Sequence, residues 1–315
     1  MPIANKSRIG GHAMLENNTK TTRVAIVGCV GIDPFDALSL IKSGRPDEMV
    51  LIREGNESLA EKIGLLVAKS NVSRDFRLFA GELSDSVGAE IAIVSTSVPE
   101  SEKEPPADHL HRTANAIRGE VRSLVDAGFN GVMLVATSPI DLMSFVAKDE
   151  SRFPSERVIG LGTSVDYVAR LTLYSTRANT WCSGMSFDPV FLDHCDPICP
   201  HFESVVQKTS VVHLNDFDYG GNRTCGMATC VARICQAILN DEREIFPVSA
   251  YVNGEYDESG VYMTVPCVIG RNGIERIVKL PTTASEKLRI KAYAAELREL
   301  LMELQSPSYD FASAN

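Results

Sequence analysis

The chain has 315 residues, enough for two domains that share an interface or for one large α/β unit. Hydrophobic residues make up 44% and charged residues 23% of it, which is a globular composition and excludes collagen-like, coiled-coil and disordered classes. The formal net charge of −10 provides no surface for neutralising phosphates, which argues against a nucleic-acid partner.

The chain contains no run of eighteen apolar residues, and its first residues lack the apolar core of a signal peptide. We therefore expect neither a membrane span nor secretion. Eight cysteines without a secretory signal are typical of reduced thiols, which predicts a cytoplasmic protein.

Strand-like and helix-like segments alternate in the first half of the chain. Residues 1–21 are polar and aperiodic, which predicts a flexible N-terminal arm. The apolar run at 23–28 is typical of a strand buried on both faces. Similar runs lie at 49–52, 91–94, 132–136 and 158–159, and helical patterns lie at 35–43, 57–68, 107–127 and 140–147. This alternation predicts a doubly wound parallel sheet over residues 22–160.

The pattern changes after residue 160. Mixed polarity predicts antiparallel strands at 203–214, 245–256 and 260–269, and helical patterns lie at 226–240 and 284–305. The terminal helix is amphipathic, with a predicted buried side that consists of Leu288, Leu297, Leu300, Leu301 and Leu304. Residues 161–315 are therefore predicted to form a second, α+β domain.

Six long segments follow one another in a characteristic order: RVAIVG (23–28), SGRPDEMVLI (43–52), AGFNGVMLVATSPIDLMSFV (127–146), SERVIGLGTSVD (155–166), VARICQAILNDEREIFPVSAYVNGEY (231–256) and VYMTVPCVIGRNGIERIV (261–278). On these segments, residues 22–305 resemble the lactate/malate dehydrogenase family. The resemblance implies a Rossmann-type parallel sheet followed by an α+β C-terminal domain. It also implies hydride transfer between NAD and a 2-hydroxy acid, in a homo-dimer or tetramer.

The turn that binds the NAD phosphates in this family carries three glycines, which let the backbone approach the pyrophosphate. Aligned without a gap, the three positions here are Gly28, Val30 and Asp33. Val30 places a branched side chain where the backbone must meet phosphate, and the Asp33 carboxylate would repel that phosphate. A shifted alignment that uses Gly31 as a turn glycine is the alternative.

The ribose-binding carboxylate that the resemblance implies after the second strand is replaced by Arg53. Arg53 could hold the 2′-phosphate of NADP, or it could pair with Glu54 or Glu57 on the surface. Gly28, Asp33 and Arg53 are thus candidate remnants of a degenerate cofactor site. The sequence favours no bound cofactor, with NAD(P) as the alternative.

The substrate side also departs from the family. The place of the mobile-loop arginine, which polarises the ketone, falls near Pro106 or Asp108, and the nearest arginine is Arg112 on the following helix. The asparagine of the strand-end motif is replaced by Ser138. Asp108 and Ser138 are therefore candidate substrate contacts of a changed pocket.

The acid–base pair of the family is only half preserved. Its orienting carboxylate corresponds to Asp166, but its histidine corresponds to Ser186 in the turn GMSFD. A serine hydroxyl cannot act as an acid near neutral pH as an imidazole does. The substrate-clamping arginine should lie at Ala169, and Arg170 is about 100° further around the helix. These losses together argue against hydride transfer to a 2-keto acid.

New groups stand where the resemblance would place the pocket. Arg223 replaces a small hydroxyl residue, Cys225 replaces a residue that is usually aromatic, and Cys182 precedes the GMSFD turn. An arginine near a thiol could bind an anion and lower the thiol pKa, which would make Cys225 a nucleophile. The alternative is that the cysteines are small buried apolar residues, our interpretation of Cys230 and Cys235.

A second cluster combines two histidines and two cysteines on a proline-rich segment: His194, Cys195, Cys199 and His201. These residue types are zinc ligands. A four-ligand cage from one short loop is strained, however, because two of the four residues are adjacent. We therefore favour an irregular loop with incidental histidines and keep a metal site as the alternative.

Three functions are consistent with these substitutions. The first is non-redox chemistry on a small polar metabolite, with Asp166, Ser186 and Cys225 as catalytic candidates and Arg223, Ser138 and Asp108 as substrate contacts. The second is a catalytically silent subunit that binds an active paralogue, and the third is a residual NAD(P)-dependent oxidoreductase. Carboxylates near the former cofactor turn and in the loop at 100–108 also suit a cationic or amine-bearing ligand.

Overall fold

The computed structural model describes residues 21–28, 46–52, 76–96, 98–99, 104–162, 180–182, 185–187 and 223–305. Within these ranges the strands are β1 (Arg23–Val27), β2 (Glu48–Ile52), β3 (Arg77–Gly81), β4 (Ile91–Val94), β5 (Val132–Val135), β6 (Val158–Gly160), β7 (Thr180–Cys182), β8 (Met185–Phe187), β9 (Glu244–Asn253), β10 (Ser259–Gly270) and β11 (Gly273–Ile277). The helices are α1 (Pro106–Asp126), α2 (Ile140–Ser151), α3 (Arg223–Asn240) and α4 (Ala284–Gln305), and short 3₁₀ turns cover Leu83–Ser86, Ser155–Arg157 and Glu255–Asp257.

Nine of these strands form one sheet in the order β11-β10-β9-β6-β5-β4-β1-β2-β3. The six strands from β6 to β3 are parallel, and their order is that of a doubly wound dinucleotide-binding fold. Strands β9, β10 and β11 continue the sheet in antiparallel pairing, while β7 and β8 form a separate hairpin. The predicted Rossmann-type sheet with a following α/β part is therefore confirmed.

The central parallel strands are buried along their whole length, as their continuous apolar runs predict. All residues of β4 and β5 are buried, and so are those of β2. The edge strand β3 was not predicted, because its sequence, RLFAG, begins with a charge and its side chains are exposed or half-buried. An edge strand packed on one side carries too little apolar signal to stand out from a loop.

The terminal helix α4 has the predicted bounds, and Leu297, Leu301 and Leu304 are buried as predicted, with Leu300 partly buried against the core. Its buried residues are Ile290, Ala294, Leu297, Leu301 and Leu304. The prediction that Leu288 belongs to this face was wrong, because that side chain is 70% exposed. Leu288 precedes Ile290 by two residues, which is about 200° around a helix, so the two side chains lie on opposite faces.

Helices α1, α2 and α4 meet beside the carboxyl ends of the parallel strands. Helix α1 packs against α2, and α2 contacts β6, β9 and β10 as well as α4. Helix α3 packs against β10, where Cys230 and Cys235 are buried as predicted. In the part of the chain that the structure describes, no helix is long and apolar enough to cross a membrane.

Candidate functional site

The carboxyl ends of β1, β4 and β5 meet at one edge of the sheet, where ligands of doubly wound folds bind. Gly28 follows β1 with a φ of +88°, and its N–H donates to the Ile52 carbonyl over 3.1 Å. A Cβ at this position would lie 2.8 Å from the Ser95 carbonyl oxygen. The first glycine of the predicted turn is therefore required by both its backbone angle and its contact with the segment after β4.

A carboxylate occupies the same edge. Helix α1 carries Glu120, whose Oε1 lies 3.2 Å from where a Cβ on Gly28 would stand. The Thr96 hydroxyl donates to the other oxygen of this carboxylate, and the Thr96 N–H donates to Thr137 Oγ1 over 2.9 Å. Thr96 after β4 thus links the Glu120 carboxylate to Thr137 after β5, and this carboxylate lies beside Gly28 at the end of β1.

Arg112, the arginine nearest to the predicted loop position, is paired with a carboxylate and a carbonyl of its own chain. Its Nε and Nη2 donate to the two oxygens of Glu104 over 2.6 and 2.5 Å, and Nη2 also donates to the Pro99 carbonyl. The hydrogen bond to Glu104 raises the pKa of Arg112, which keeps the guanidinium charged and paired.

A cavity of about 810 Å³ opens between the first turns of α1 and α2 and the middle of α4. Its lining residues are Pro106, His109, Leu110, Ser138, Pro139, Ile140, Asp141, Leu142, Gly162, Thr264, Tyr293, Glu296, Leu297 and Leu300. Most of this wall is apolar, and a few polar groups are grouped at one side. That composition and volume are typical of a small-molecule site.

The polar side of the cavity is centred on Asp141, in the first turn of α2. The Tyr293 hydroxyl donates to Asp141 Oδ2, and Thr264 Oγ1 lies 3.5 Å from Oδ1. The buried Ser249 hydroxyl also adjoins this carboxyl. Burial raises the pKa of Asp141, an effect that these hydroxyl donors oppose, and burial likewise raises the pKa of Tyr293.

The structure brings only some of the predicted site residues to this edge. Ser138 lines the cavity and Gly28 lies at the end of β1. Asp108 is half-buried in the first turn of α1, between the lining residues Pro106 and His109, and is not itself in the lining.

The remaining candidates lie wholly or partly outside the described residues. The backbone of Ser186 is in β8, and those of Arg223 and Cys225 are in the first turn of α3, but their side chains are not described. The residues outside the described ranges altogether are Asp33, Arg53, Asp166, His194, Cys195, Cys199 and His201. Among the described residues, no group of three histidine, cysteine or acidic side chains could hold a metal ion.

Three residues of this edge were missed by the sequence analysis. Asp141 carries a readable signal, because it closely follows the end of a buried strand in the segment ATSPID. Glu120 lies between the buried residues Ile117 and Val121 of α1. In the sequence, a single glutamate in a helix indicates only a position exposed to solvent. Tyr293 has no local signal, since only the packing of α4 against α2 brings it to Asp141.

Comparison with known sequences matches both halves of the chain to domain models. Residues 22–160 match the lactate/malate dehydrogenase NAD binding domain, and residues 201–306 match the lactate/malate dehydrogenase alpha/beta C-terminal domain. The L-lactate dehydrogenase 2 of Bacillus cereus is 28% identical over 89% of this chain and 97% of its own length. The L-lactate dehydrogenase 1 of Enterococcus faecalis is 30% identical over 71% of this chain and 76% of its own length.

Solved structures show the same architecture. The crystal structure of MGS-M5, a lactate dehydrogenase enzyme from a Medee basin deep-sea metagenome library, has a TM-score of 0.74 to this chain at 26% identity. The match covers 91% of this chain and 99% of that one.

Proposed function

Because the chain belongs to the lactate/malate dehydrogenase family, we propose that it is a divergent member that has lost hydride transfer between NAD and a 2-hydroxy acid. It retains the cleft for a small polar metabolite that it neither oxidises nor reduces. The Glu120 carboxylate beside Gly28 is the observation that carries this proposal.

The pyrophosphate of NAD is anionic and requires donors at the turn after the first strand. The Glu120 carboxylate instead places a negative charge against the glycine of that turn. Two unit charges about 5 Å apart near a protein surface repel by roughly 3 kcal/mol, and about 1.4 kcal/mol is a tenfold change in affinity. The described part of the turn therefore fits the pyrophosphate of a dinucleotide poorly.

The substrate side supports the same conclusion. A 2-keto acid needs cations for its carboxylate and its ketone oxygen. Arg112 is paired with Glu104, and the described cavity lining contains no arginine or lysine. The replacement of the family histidine by Ser186 removes an acid that could protonate a ketone near neutral pH.

A residual NAD(P)-dependent oxidoreductase is the second candidate, and one observation favours it. Gly28 keeps the positive φ and the close approach to Ser95 that a dinucleotide turn uses. We expect this conformation in a protein that still binds a nucleotide through the shifted alignment of the turn, with Gly31 as a turn glycine.

Nucleotide titration separates the two candidates. The full chain is titrated with NADH and NADPH by calorimetry, and its reduction of pyruvate and oxaloacetate is followed through NADH absorbance. We expect no saturable binding below about 1 mM and no turnover, because the repulsion adds to the other losses at the turn. Micromolar binding together with turnover would overturn the proposal in favour of the second candidate.

The role of Glu120 is tested with two variants of α1 that each replace a carboxylate by the corresponding amide, Glu120→Gln and Asp126→Asn. Glu120→Gln keeps an oxygen that accepts from Thr96 and removes the charge, so NADH affinity should rise by about tenfold or more. Asp126→Asn removes an exposed charge from the last residue of the same helix, six positions further along, and should leave the affinity unchanged. Equal affinities of both variants and the unmodified chain would show that Glu120 is not what weakens nucleotide binding.

A further inference from the structure

The described lining of the cavity between α1, α2 and α4 contains two carboxyl groups and no arginine or lysine. Asp141 and Glu296 are its carboxylates, and His109 is the one described lining residue that could carry a positive charge. Glu104 lies 3.8 Å from His109 Nδ1, so this imidazole faces a further carboxylate outside the lining. The described wall therefore attracts cations.

Arg112 on α1 and Arg298 on α4 do not alter this charge. Arg112 on α1 is bound by Glu104, as described above. Arg298 on α4 lies 2.5 Å from Glu258 and donates to the Ser259 carbonyl over 3.0 Å. Each of these guanidinium groups already has a carboxylate partner, so an anionic ligand in the cavity would have to compete for it.

Two helix N-termini border the cavity, and their dipoles would by themselves favour an anion. Each first turn already contains a carboxylate: Asp108 in α1 and Asp141 in α2. The positive ends of both helix dipoles therefore already interact with carboxylates of the chain. A ligand in the cavity can still contact the Asp141 carboxyl, because Asp141 is one of the lining residues.

The polar side of the cavity offers acceptors that match an ammonium group. An ammonium has three donors and no acceptor. The Asp141 carboxyl lies beside the hydroxyl oxygens of Tyr293 and Thr264, and Ser138 adds another hydroxyl to the lining. Burial raises the pKa of Asp141, and a cation in contact with this carboxyl is what would favour its ionised form.

The rest of the wall suits an apolar body. Leu110 from α1, Ile140 and Leu142 from α2, and Leu297 from α4 all line the cavity. Glu296 is exposed on α4, three residues after Tyr293, so it lies on the same face nearer to solvent. The cavity thus has one carboxyl group on its solvent side, from Glu296, and one on its polar inner side, from Asp141.

We propose that this cavity binds a primary organic amine, with the ammonium group on Asp141 and an apolar body against the leucines of α1 and α4. The inference rests on the proposed function in one respect, because it assigns a ligand class to the cleft that no longer serves a 2-hydroxy acid. The charge of the ligand is then opposite to that of a 2-hydroxy acid.

Three probes of matched shape test the charge preference of the full chain. They are 2-phenylethylamine, the neutral 2-phenylethanol and the anionic 3-phenylpropanoate, titrated at neutral pH and followed by ligand-observed NMR and calorimetry. The amine should bind at least about tenfold more tightly than the alcohol, and the carboxylate should bind most weakly. Equal binding of the amine and the alcohol, tighter binding of the carboxylate, or no binding of the amine would overturn the proposal.

Variants locate the preference at the cavity. Asp141→Asn should abolish the amine-over-alcohol preference, and Glu296→Gln should reduce it about two- to threefold, because an exposed charge is screened by solvent. Glu299→Gln is the matched control, since Glu299 is on α4 outside the lining. If Asp141→Asn does not fold, the exposed pair decides: a preference that Glu296→Gln and Glu299→Gln leave equally intact would contradict the site.

The failure of this inference and that of the proposed function are distinguishable. Amine binding is measured without nucleotide, whereas the proposed function is tested by NADH binding and turnover. A chain that neither binds NADH nor prefers the amine refutes only the ligand class. A chain that turns over pyruvate with NADH refutes the proposed function whatever its amine affinity.

Discussion

At Gly28 the chain leaves β1 in a backbone conformation that L side chains rarely adopt. A Cβ there would also press against the Ser95 carbonyl oxygen. We expect Gly28→Ala to lower the free energy of unfolding by about 1–3 kcal/mol, measured by urea denaturation. Gly119, inside α1 with open space around it, is the matched control, and Gly119→Ala should stabilise by about 0.5–1 kcal/mol. A Gly28→Ala variant as stable as the original chain would show that this turn is not constrained.

Asp141 makes the stability of the protein depend on pH in a definite direction. Burial raises its folded-state pKa above the ordinary value of 3.8, so the folded chain holds this proton more tightly than the unfolded chain. The resulting stabilisation is fully present below about pH 4 and is lost as pH rises through the folded-state pKa. An asparagine at this position does not titrate and therefore adds no pH-dependent contribution to the free energy of unfolding.

The corresponding measurement compares Asp141→Asn with the unmodified chain by urea denaturation at a series of pH values. The stability of the variant relative to the original should be lowest near pH 4 and should increase at higher pH, by about 1.4 kcal/mol for each unit of pKa shift. Asp149→Asn on the exposed side of α2 is the control and should give a difference that varies little with pH. A flat or falling difference for Asp141→Asn would mean that its carboxyl is ionised as easily in the folded chain as in the unfolded one.

At the scale of elements, one carboxylate joins the amino ends of three parallel strands. Glu48 at the start of β2 is only 7% exposed, and it accepts from Arg23 of β1 over 2.7 and 2.9 Å. Its other oxygen accepts from Arg77 of β3 over 2.8 Å. The edge strand β3, whose apolar burial is weak, is therefore attached to the sheet partly through this ion-pair group.

We expect Glu48→Gln to destabilise the protein by about 1–3 kcal/mol, because two guanidinium groups lose the charge that they share. Asp149→Asn removes a carboxylate from an exposed pair with Arg152 and should change stability by less than about 0.5 kcal/mol. Amide hydrogen exchange should show the largest loss of protection in β3. Unchanged exchange in β3 would indicate that backbone pairing alone holds this strand.

The elements that could be predicted from the sequence are those whose burial repeats along the chain. The apolar runs of β4 and β5 and the apolar stripe of α3 are such cases, because the hydrophobicity of each side chain indicates that it is buried. The edge strand β3 and the exposure of Leu288 could not be predicted from the sequence, since both depend on which elements pack beside them. The Asp141–Tyr293 contact joins residues 152 positions apart, so only the assembled fold reveals it.

For the whole molecule, the decisive feature is that one sheet extends through both predicted domains. The junction is the antiparallel pairing of Gly160 in β6 with Ser249 in β9. Ser249 is fully buried there, and α2 contacts β6 on one side of the junction and β9 and β10 on the other. The two parts therefore share a core, and we expect them to unfold together in a single calorimetric transition.

Gly160→Ala tests this coupling because its Cβ would overlap the Ser144 hydroxyl and lie 2.7 Å from Ser249 Cβ and 2.8 Å from Ile140 Cγ2. Overpacking of this kind costs about 1–3 kcal/mol. Since the strain acts where β6, β9 and α2 meet, scanning calorimetry should show the whole transition moving to lower temperature while remaining single. Adding Ser144→Ala removes the overlapping hydroxyl and should restore part of the loss. A variant whose transition splits into two would show that the halves of the sheet are independent folding units joined only at this contact.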